Sequence, residues 1–349
     1  MALGIRRKLV GAVGLALFAL SVTPVSALPA TASTIPYAYV VNSGSRTVSV
    51  VNTSTNTVVK AVKVSSYPAD IAITPKGTYG YVTGEVVSGT VSSGIVSVIK
   101  LSTDTVVKTV KVGSYPSGVA ITPNGSYAYV ANGDSCSVSV INTATNTVVK
   151  TVKVGSNPSG IGITPNGSYA YVSNAGFLTE GCLQGTAPTV SVIKTSTNTV
   201  VKTVTVGTRP PGPVDVAVTP NGNYAYAPGA GGVSVIKTST NAVVKTVAVI
   251  APSGVAITPN GSYAYVTSES YSGTIPSGGR VRVINTSTNK VVNTVKVGDS
   301  PSGIAITHSG SDAYVANSGS GTVSVINTST NKVVKTVKVG SYPSGVAIT

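Results

Sequence analysis

A tetrad built on Tyr-Ala-Tyr-Val recurs along this chain and constrains the fold more than any other feature. Seven copies or near copies occur among the 349 residues, starting at Tyr37, Tyr79, Tyr127, Tyr169, Tyr224, Tyr263 and Asp312. The shortest interval, from 224 to 263, is 39 residues, and the longest, from 169 to 224, is 55. A period of ~40–50 residues that contains only strand-like segments is typical of β-propeller blades. The repeat therefore predicts seven blades.

One repeat unit shows how a blade is built. From Pro116 onward, four short segments rich in β-branched residues alternate with turns made of Pro, Gly and Asn. The segments are residues 117–122, 127–131, 137–141 and 147–154. No stretch has the period of a helix. The sequence therefore predicts an all-β fold, a seven-bladed β-propeller of four-stranded antiparallel blades.

The alternation of side chains within a strand predicts how the blades stack. Tyr127 and Tyr129 share one face of their strand, and Ala128 and Val130 share the other. We expect the tyrosine rings of one blade to fill the space above small residues of the next blade.

The two ends of the repeat region are complementary. Tyr37 enters at the second strand of a unit, whereas residues 345–349 form a first strand alone. We therefore expect the C-terminal strand to join the N-terminal blade, residues 37–66, and to close the ring. Closure of this kind removes the free sheet edge that would otherwise invite aggregation.

The first 27 residues have the features of a secretory signal peptide. A basic start at residues 6–8 precedes an apolar run at 9–22 and a small-residue cleavage site at 25–27. The run is shorter than the ~20 residues that span a bilayer, although an uncleaved anchor remains an alternative. We predict residues 1–27 as the signal, 28–35 as a short linker and 36–349 as the propeller, located outside the cell or in its envelope.

The charge balance predicts the kind of partner. The formal net charge of the chain is +15, and removal of the three cations in the signal leaves 21 basic and 9 acidic residues, a net charge of +12. This balance favours an anionic cell-envelope polymer, a glycan or a surface protein, with nucleic acid as an alternative. We expect no cofactor, no transmembrane segment after the signal, and a monomer.

The repeats resemble the YVTN-family β-propeller repeat, a relative of surface-layer and YncE-like propellers. The motifs that carry the resemblance are Tyr-Val-Ala-Asn at 129–132, Val-Ser-Val-Ile-Asn-Thr at 323–328, Val-Val-Lys-Thr-Val-Lys-Val-Gly at 333–340 and Pro-Ser-Gly-Val-Ala-Ile-Thr at 343–349. The chain contains no Trp, which excludes the WD40 signature. The resemblance covers residues 36–349 and implies an extracytoplasmic binding or structural role. It implies no particular ligand.

The turns of a four-stranded meander alternate between two rims. We name the rim that holds the fourth-to-first and second-to-third connections the top rim, and the opposite one the bottom rim. Bottom turns repeat with little change, whereas second-to-third connections are long in blades 2, 4 and 6, at 84–94, 175–188 and 268–279. These insertions predict the functional surface, with neutral drift of loops as the alternative.

Side chains on the top rim are the candidates for ligand binding. The residue before the fourth-to-first proline is a tyrosine in blades 1 to 3, and such rings can stack on sugars, although they could equally cover neighbouring loops. Several acids map to or near the same rim, among them Asp70, with Asp215 close by, but they lack the spacing of a calcium loop, and we predict no metal site. The candidate binding residues are Tyr67, Tyr115, Tyr342, Arg209, Glu85, Asp134, Glu180, Glu269 and Asp299.

Lysines recur on the fourth strand, which is the outer edge of each blade. We name these residues the lysine belt; they include Lys108, Lys111, Lys150, Lys153, Lys335 and Lys338. Two explanations of the lysine belt are open. Lysine on an edge strand blocks pairing with the sheet of another molecule, and the belt could also attach the protein to a polyanion such as single-stranded DNA.

The remaining chemistry is sparse. Cys136 and Cys182 fall in second-to-third connections of adjacent blades, and export would supply oxidising conditions, so we predict a disulfide. The single histidine, His308, lies in a bottom turn with no evident partner. We therefore expect no catalytic residues, and a lactonase-like or lyase-like enzyme is the less favoured alternative.

Overall fold

In a computed structural model of the chain, the described residues contain twenty-eight strands, which form seven four-stranded antiparallel sheets. The structure describes residues 36–64, 66–88, 91–176, 187–207, 212, 214–272 and 275–349. Each sheet is one blade. Six blades consist of four strands that are consecutive in the sequence, and the remaining one combines the last strand of the chain with the first three. Within the described ranges no helix is long and apolar enough to cross a membrane. The predicted all-β, seven-bladed propeller is confirmed.

The strands of the first four blades, from the central strand outward, have the following bounds. Blade 1 contains β28 (Pro343–Ile348), β1 (Tyr37–Asn42), β2 (Thr47–Asn52) and β3 (Thr57–Lys63). Blade 2 contains β4 (Tyr67–Ile73), β5 (Tyr79–Ser88), β6 (Val91–Lys100) and β7 (Thr105–Lys111). Blade 3 contains β8 (Pro116–Ile121), β9 (Tyr127–Asn132), β10 (Ser137–Asn142) and β11 (Thr147–Lys153). Blade 4 contains β12 (Pro158–Ile163), β13 (Tyr169–Asn174), β14 (Thr189–Lys194) and β15 (Thr199–Thr205).

The other three blades follow the same plan. Blade 5 contains β16 (Ala217–Val218), β17 (Tyr224–Gly229), β18 (Gly232–Lys237) and β19 (Ala242–Val247). Blade 6 contains β20 (Pro252–Ile257), β21 (Tyr263–Ser272), β22 (Ile275–Asn285) and β23 (Lys290–Lys296). Blade 7 contains β24 (Pro301–Ile306), β25 (Asp312–Asn317), β26 (Thr322–Asn327) and β27 (Lys332–Lys338).

The ring closes through the two ends of the propeller, as the sequence predicts. Strand β28 pairs antiparallel with β1, with Val346 opposite Val40. The Tyr37 amide donates to Thr349 Oγ1 at 2.8 Å, and the Thr349 amide donates to the Tyr37 carbonyl at 3.0 Å. Blade 1 is therefore assembled from opposite ends of the propeller.

The core lies between neighbouring blades, and a tyrosine on each second strand organises it. Tyr129 is fully buried and belongs to a cluster that includes Ala170 and Val172 of the next blade. This confirms the expectation that tyrosine rings cover small residues of the adjacent blade. Burial raises the pKa of Tyr129 to about 12, so its hydroxyl is neutral at physiological pH.

Each of these buried hydroxyls donates to a turn of the next blade. The acceptor is a side-chain oxygen of the residue that precedes the fourth strand, and all seven acceptor residues have a left-handed backbone. The pairs are Tyr39–Asp104, Tyr81–Asn146, Tyr129–Asn198, Tyr171–Asn241, Tyr226–Asn289, Tyr265–Asn331 and Tyr314–Asn56. These bonds link every blade to its successor around the ring.

The outer strands carry a bulge that blunts the exposed edge. In blade 3, Val140 pairs with Lys150 and Ile141 with Val148, which leaves Val149 as the extra residue, 51% exposed. The same register shift occurs between the third and fourth strands of all seven blades. Bulges and lysines both hinder edge-to-edge pairing of strands.

Two of the predicted long loops are extended hairpins rather than loops. In blade 2 the ladder between β5 and β6 continues to the pair Ser88–Val91. In blade 6 the ladder between β21 and β22 continues to the pair Ser272–Ile275. Backbone pairing therefore makes these insertions part of the sheets. In the third insertion, 175–188, residues 177–186 lie outside the described part of the chain.

Candidate functional site

Three exposed tyrosines form an arc on the top rim across blades 1, 2 and 3. Tyr342, Tyr67 and Tyr115 are 64%, 43% and 59% exposed, respectively. We name them the tyrosine arc. At the corresponding position blades 4, 6 and 7 carry Asn157, Ala251 and Ser300, so tyrosine occurs at this position in three neighbouring blades only.

The rings of the arc also lie against their own blades, so both sequence-based alternatives describe part of the arrangement. A Cβ placed on Gly44 would lie 2.6 Å from Cδ2 of Tyr342, and one on Gly133 would lie 3.2 Å from Cδ1 of Tyr115. Glycine at these turns therefore lets the rings approach the backbone closely. The rings cover neighbouring turns and still present much of their surface to solvent.

Tyr67 is held by an arginine from blade 1. The Arg46 guanidinium carbon lies 4.0 Å from the centroid of the Tyr67 ring. Nη2 of Arg46 also donates a hydrogen bond to the Tyr67 hydroxyl. The stacked cation restrains the exposed ring before any ligand binds. Less conformational entropy of the ring is then lost on ligand binding. The arc therefore includes a fixed positive charge that the sequence analysis did not single out.

Glu85 connects the backbone segments of blades 2 and 3 that carry Tyr67 and Tyr115. It lies opposite Tyr67 in the β4–β5 ladder, and its Oε2 accepts a hydrogen bond of 2.9 Å from the Tyr115 amide. The Ser92 hydroxyl donates to the other carboxylate oxygen. Glu85 is therefore a positioning residue whose two oxygens have protein partners.

Of the other predicted acids that the structure describes, Asp134 lies beside the turn of Tyr115, whereas Glu269 and Asp299 lie at turns of other blades. The backbone amides of Asp134 and Glu269 donate to the Ser114 and Ala251 carbonyls, and the Asp299 amide donates to Ser320 Oγ at 2.7 Å. These acids belong to blades 3, 6 and 7, respectively. Arg209 and Glu180 lie outside the described residues. Among the residues that the structure describes, no three potential metal ligands come together.

Asp70 and Asp215 line the central channel, near the top ends of the innermost segments of blades 2 and 5. Both occupy the third position of the Pro-x-x motif that opens the innermost segment of each blade. The other five blades carry glycine there, namely Gly118, Gly160, Gly254, Gly303 and Gly345. With residues from all seven blades, the two acids line a cavity of about 210 Å³.

Close approach of the blades explains why glycine dominates this ring. A Cβ on Gly118 would lie 2.2 Å from the Ser159 carbonyl oxygen of the next blade. The two aspartates instead reach along the ring and accept from the next blade's backbone, Asp70 from Val119 at 3.1 Å and Asp215 from Val255 at 2.9 Å. Each acid therefore joins two blades at the neck of the channel.

Burial controls the charge of this pair. Desolvation raises the pKa of Asp70 to about 7; hydrogen bonds from the Val119 and Ile71 amides oppose the rise, and the charge of Asp215 adds to it. Desolvation likewise raises the pKa of Asp215, against hydrogen bonds from Val255 and Val216. Among the described residues that line this cavity, no other is ionisable. The carboxyl of Asp70 in the channel wall can therefore hold a proton near neutral pH.

An internal comparison of the repeats contains the signal that would have found this pair. Aligned on their prolines, five units have Ser-Gly, whereas blade 2 has Ala69-Asp70 and blade 5 has Val214-Asp215. A residue that breaks a well-kept repeat at a crowded position is a candidate for a role that the other repeats do not have.

The lysine belt is exposed and almost free of acidic partners. Lys108, Lys111, Lys150, Lys153, Lys335 and Lys338 are all exposed on outer strands. Across the described ranges, one ion pair is present, between Lys60 Nζ and Asp104 Oδ2 at 3.8 Å. The outer wall of the disc therefore carries positive charge that is open to solvent.

The predicted disulfide remains a prediction. Cys136 lies at the end of the second-to-third turn of blade 3 and is 8% exposed. Its predicted partner, Cys182, falls within 177–186, outside the described residues.

Comparison with known proteins identifies the architecture. No family model and no curated protein matches the chain. Among solved structures, hydrazine synthase from Kuenenia stuttgartiensis aligns with a TM-score of 0.67 at 24% identity, over 80% of this chain and 88% of that one. A Desulfotomaculum acetoxidans protein described as functionally unknown aligns with a TM-score of 0.72 at 20% identity, over 89% and 98%. A Bacteroides fragilis protein provisionally named as a 6-phosphogluconolactonase aligns with a TM-score of 0.71 at 16% identity, over 91% and 99%.

These likenesses show the fold alone, because propellers of such low identity serve many functions. No family model confirms the resemblance to the YVTN family, which stays a prediction.

Proposed function

We propose that the chain is an exported binding module without catalytic activity that holds an anionic glycan of the cell envelope on its top rim. The observation that carries the proposal is the tyrosine arc. Three exposed rings stand on consecutive blades, whereas the bottom rim repeats the same short turns. Export itself rests on the predicted signal at residues 1–27.

The chemistry of the arc suits a sugar chain. Tyrosine rings offer an apolar face to the C–H surface of a sugar and a hydroxyl at its edge. The Tyr67 ring loses little freedom on binding, since Arg46 already holds it, and Glu85 holds the backbone of Tyr115. Arg46 adds a cation beside the rings, which favours an acidic sugar over a neutral one.

The lysine belt supports the same preference at longer range. Unpaired lysines around the disc raise the local concentration of a polyanion and speed its association. Exposed charges act over about 8–10 Å at physiological salt. We expect the belt to contribute attraction without selectivity and the arc to contribute selectivity.

Binding of the purified protein to anionic polysaccharide from the host envelope, measured over a salt series, tests the proposal. The double substitution Tyr115→Ala and Tyr342→Ala should weaken saturable binding at least tenfold at ~0.3 M salt, where diffuse attraction is screened. Tyr263→Ala is the matched control, because Tyr263 is a half-exposed tyrosine on the bottom rim. Equal binding by the double variant and the control would refute the role of the arc.

Binding to a polyanion such as single-stranded DNA through the lysine belt is the second candidate, favoured by the exposed lysines without acidic partners. This function needs no top-rim contact. Reversal of charge at Lys108, Lys111, Lys150 and Lys153 should then reduce affinity for DNA and polysaccharide alike, with a shallower dependence on salt. If the reversal leaves DNA affinity unchanged, the belt is not a DNA-binding surface.

Lactone hydrolysis is the enzymatic alternative, prompted by the provisional name of one structural neighbour and by the channel carboxylates. Asp70, whose pKa is raised to about 7, is the candidate general base. Steady turnover of a lactone panel by the purified protein, abolished by Asp70→Asn, would replace the binding proposal. Absence of turnover is the result we expect.

A further inference from the structure

The flank between blades 5 and 6 departs from the repeat at several neighbouring positions. The fourth strand of five blades ends in a lysine, of which Lys111 is an example, whereas blade 5 has Ala248 there. Only Val249, Ile250 and Ala251 then precede Pro252, one residue fewer than in the connection from Lys111 to Pro116. The connection has lost its lysine, its glycine and its serine and has become wholly apolar.

The neighbouring hairpin is shortened as well. Strands β17 and β18 are joined by Ala230 and Gly231 alone, whereas four residues join the corresponding strands of blade 3. A Cβ on Gly231 would meet no atom within 4 Å. Two short connections side by side therefore leave open space on this flank.

The space is a cavity of about 510 Å³ with apolar walls. Its lining consists of Ala230, Gly231, Ala248, Val249, Ile250, Ala251, Arg282 and Val291. Ile250 is 69% exposed, more than any other large apolar side chain among the described residues. We name this cavity the flank pocket. Its volume falls within the ~300–1,000 Å³ typical of small-molecule sites.

One charged group faces these walls. The position of Arg282 is occupied by a buried serine in all six other blades, namely Ser49, Ser97, Ser139, Ser191, Ser234 and Ser324. Nη1 of Arg282 donates to Thr294 Oγ1 at 2.9 Å, which fixes the guanidinium at the pocket. Of the five donors of a guanidinium, this bond uses one. No carboxylate within the described ranges forms an ion pair with Arg282.

We propose that the flank pocket binds a small amphiphilic carboxylate, whose apolar tail lies against Ile250, Val249 and Val291 and whose carboxylate pairs with Arg282. The proposal rests on charge complementarity: a single half-buried cation within apolar walls selects an anion that carries an apolar tail. A tail without the anion gains only the apolar contacts, and an anion without the tail competes poorly with water. The site is independent of the tyrosine arc and of the function proposed above.

Ligand-observed NMR titration of the purified protein with octanoate tests the site, with octan-1-ol and acetate as partial ligands. We expect saturable binding of octanoate, at least tenfold tighter than that of either partial ligand. Arg282→Ser, which restores the residue of the other blades, should weaken octanoate at least tenfold and leave octan-1-ol unchanged. Ile250→Ser should weaken both compounds that carry the eight-carbon tail.

Arg280→Thr is the matched control, since it removes the same charge from the same strand and restores the residue found in blades 1, 4 and 7. It should change octanoate affinity less than twofold. If Arg282→Ser does not fold, Arg282→Gln replaces it, with thermal unfolding as the check. No saturable binding of octanoate, or an equal loss in the Arg280 and Arg282 variants, would overturn the proposal.

Discussion

The hydroxyl of Tyr314 in blade 7 donates a hydrogen bond of 2.5 Å to Oδ1 of Asn56 in blade 1. This bond crosses the point where the chain closes into a ring, and it repeats the bond that Tyr129 makes to Asn198 between blades 3 and 4. The seam between blades 7 and 1 therefore has the same contact as a junction between consecutive segments. A β-propeller needs this equivalence, because a weak seam would open the ring.

Loss of the Tyr314 hydroxyl should destabilise the ring. Tyr314→Phe leaves a left-handed Asn56 without its donor, so we expect the free energy of unfolding in urea to fall by about 1–2 kcal/mol. Tyr129→Phe should cost a similar amount, because its contact is equivalent. Tyr263→Phe is the control, as its half-exposed ring belongs to the bottom rim. A seam variant no more harmful than the control would show that the hydroxyl bond does not stabilise closure.

The number of blades, the strand order and the closure could all be predicted from the sequence, since each depends on a repeated local pattern. Alternation along residues 137–141 specifies a strand whatever surrounds it. The seven tetrads specify seven such units. Closure follows from the incomplete units at the two ends, because only their pairing completes a blade.

Features that depend on neighbouring blades could not be predicted in the same way. The Glu85 bond to the Tyr115 amide joins two blades, and nothing near residue 85 indicates its partner. The end of β5, up to Ser88, was predicted to be a loop, because the segment contains Gly and Ser and does not alternate apolar and polar residues. Asp70 and Asp215 could be recognised as acids near the top rim, but not as part of the channel wall, because the crowding at Gly118 and its equivalents arises only when seven blades meet.

The buried channel acid Asp70 should make the protein less stable as pH rises from about 4 to about 7. The pKa of Asp70 is raised from 3.8 to about 7, so below pH ~4 it is protonated in both states and imposes no cost. Above that value the unfolded chain releases its proton and the folded chain retains it, so the stability contribution is lost progressively up to about pH 7. At about 1.4 kcal/mol per unit, the upper limit is about 4 kcal/mol.

Asp70→Asn isolates this contribution. The variant should match the native protein at pH 4 and exceed it in urea stability at pH 8, because the amide cannot ionise. Asp134→Asn is the control, as Asp134 lies on the top rim. The same pH dependence in the native protein and the Asp70 variant would mean that Asp70 ionises freely in the folded state.

Glu85 should affect ligand binding through the position of Tyr115. Glu85→Ala removes the acceptor of the Tyr115 amide without touching either ring of the arc, so we expect weaker binding of the anionic glycan with little change in thermal stability. A hydrogen bond of ~1 kcal/mol corresponds to about a fivefold change in affinity. Glu85→Gln, which keeps one carbonyl oxygen as an acceptor, should recover part of the loss. Equal affinities of all three proteins would leave Glu85 with no role in positioning the ring.

The two cysteines should be joined in the exported protein. Cys136 lies in a left-handed position at the end of its turn, next to the start of β10, and is shielded from solvent. Alkylation of the denatured, unreduced protein should therefore add no mass, whereas alkylation after reduction should add two equivalents. Two equivalents without reduction would disprove the disulfide.

The Cys182→Ser variant distinguishes an internal bond from a bond between chains. If the predicted pairing holds, the native protein runs as a monomer without reductant. The variant then exposes one reactive thiol, at Cys136. Loss of the predicted bond should lower the unfolding temperature of the variant and reduce its free energy of unfolding by about 2–4 kcal/mol, the contribution typical of a disulfide.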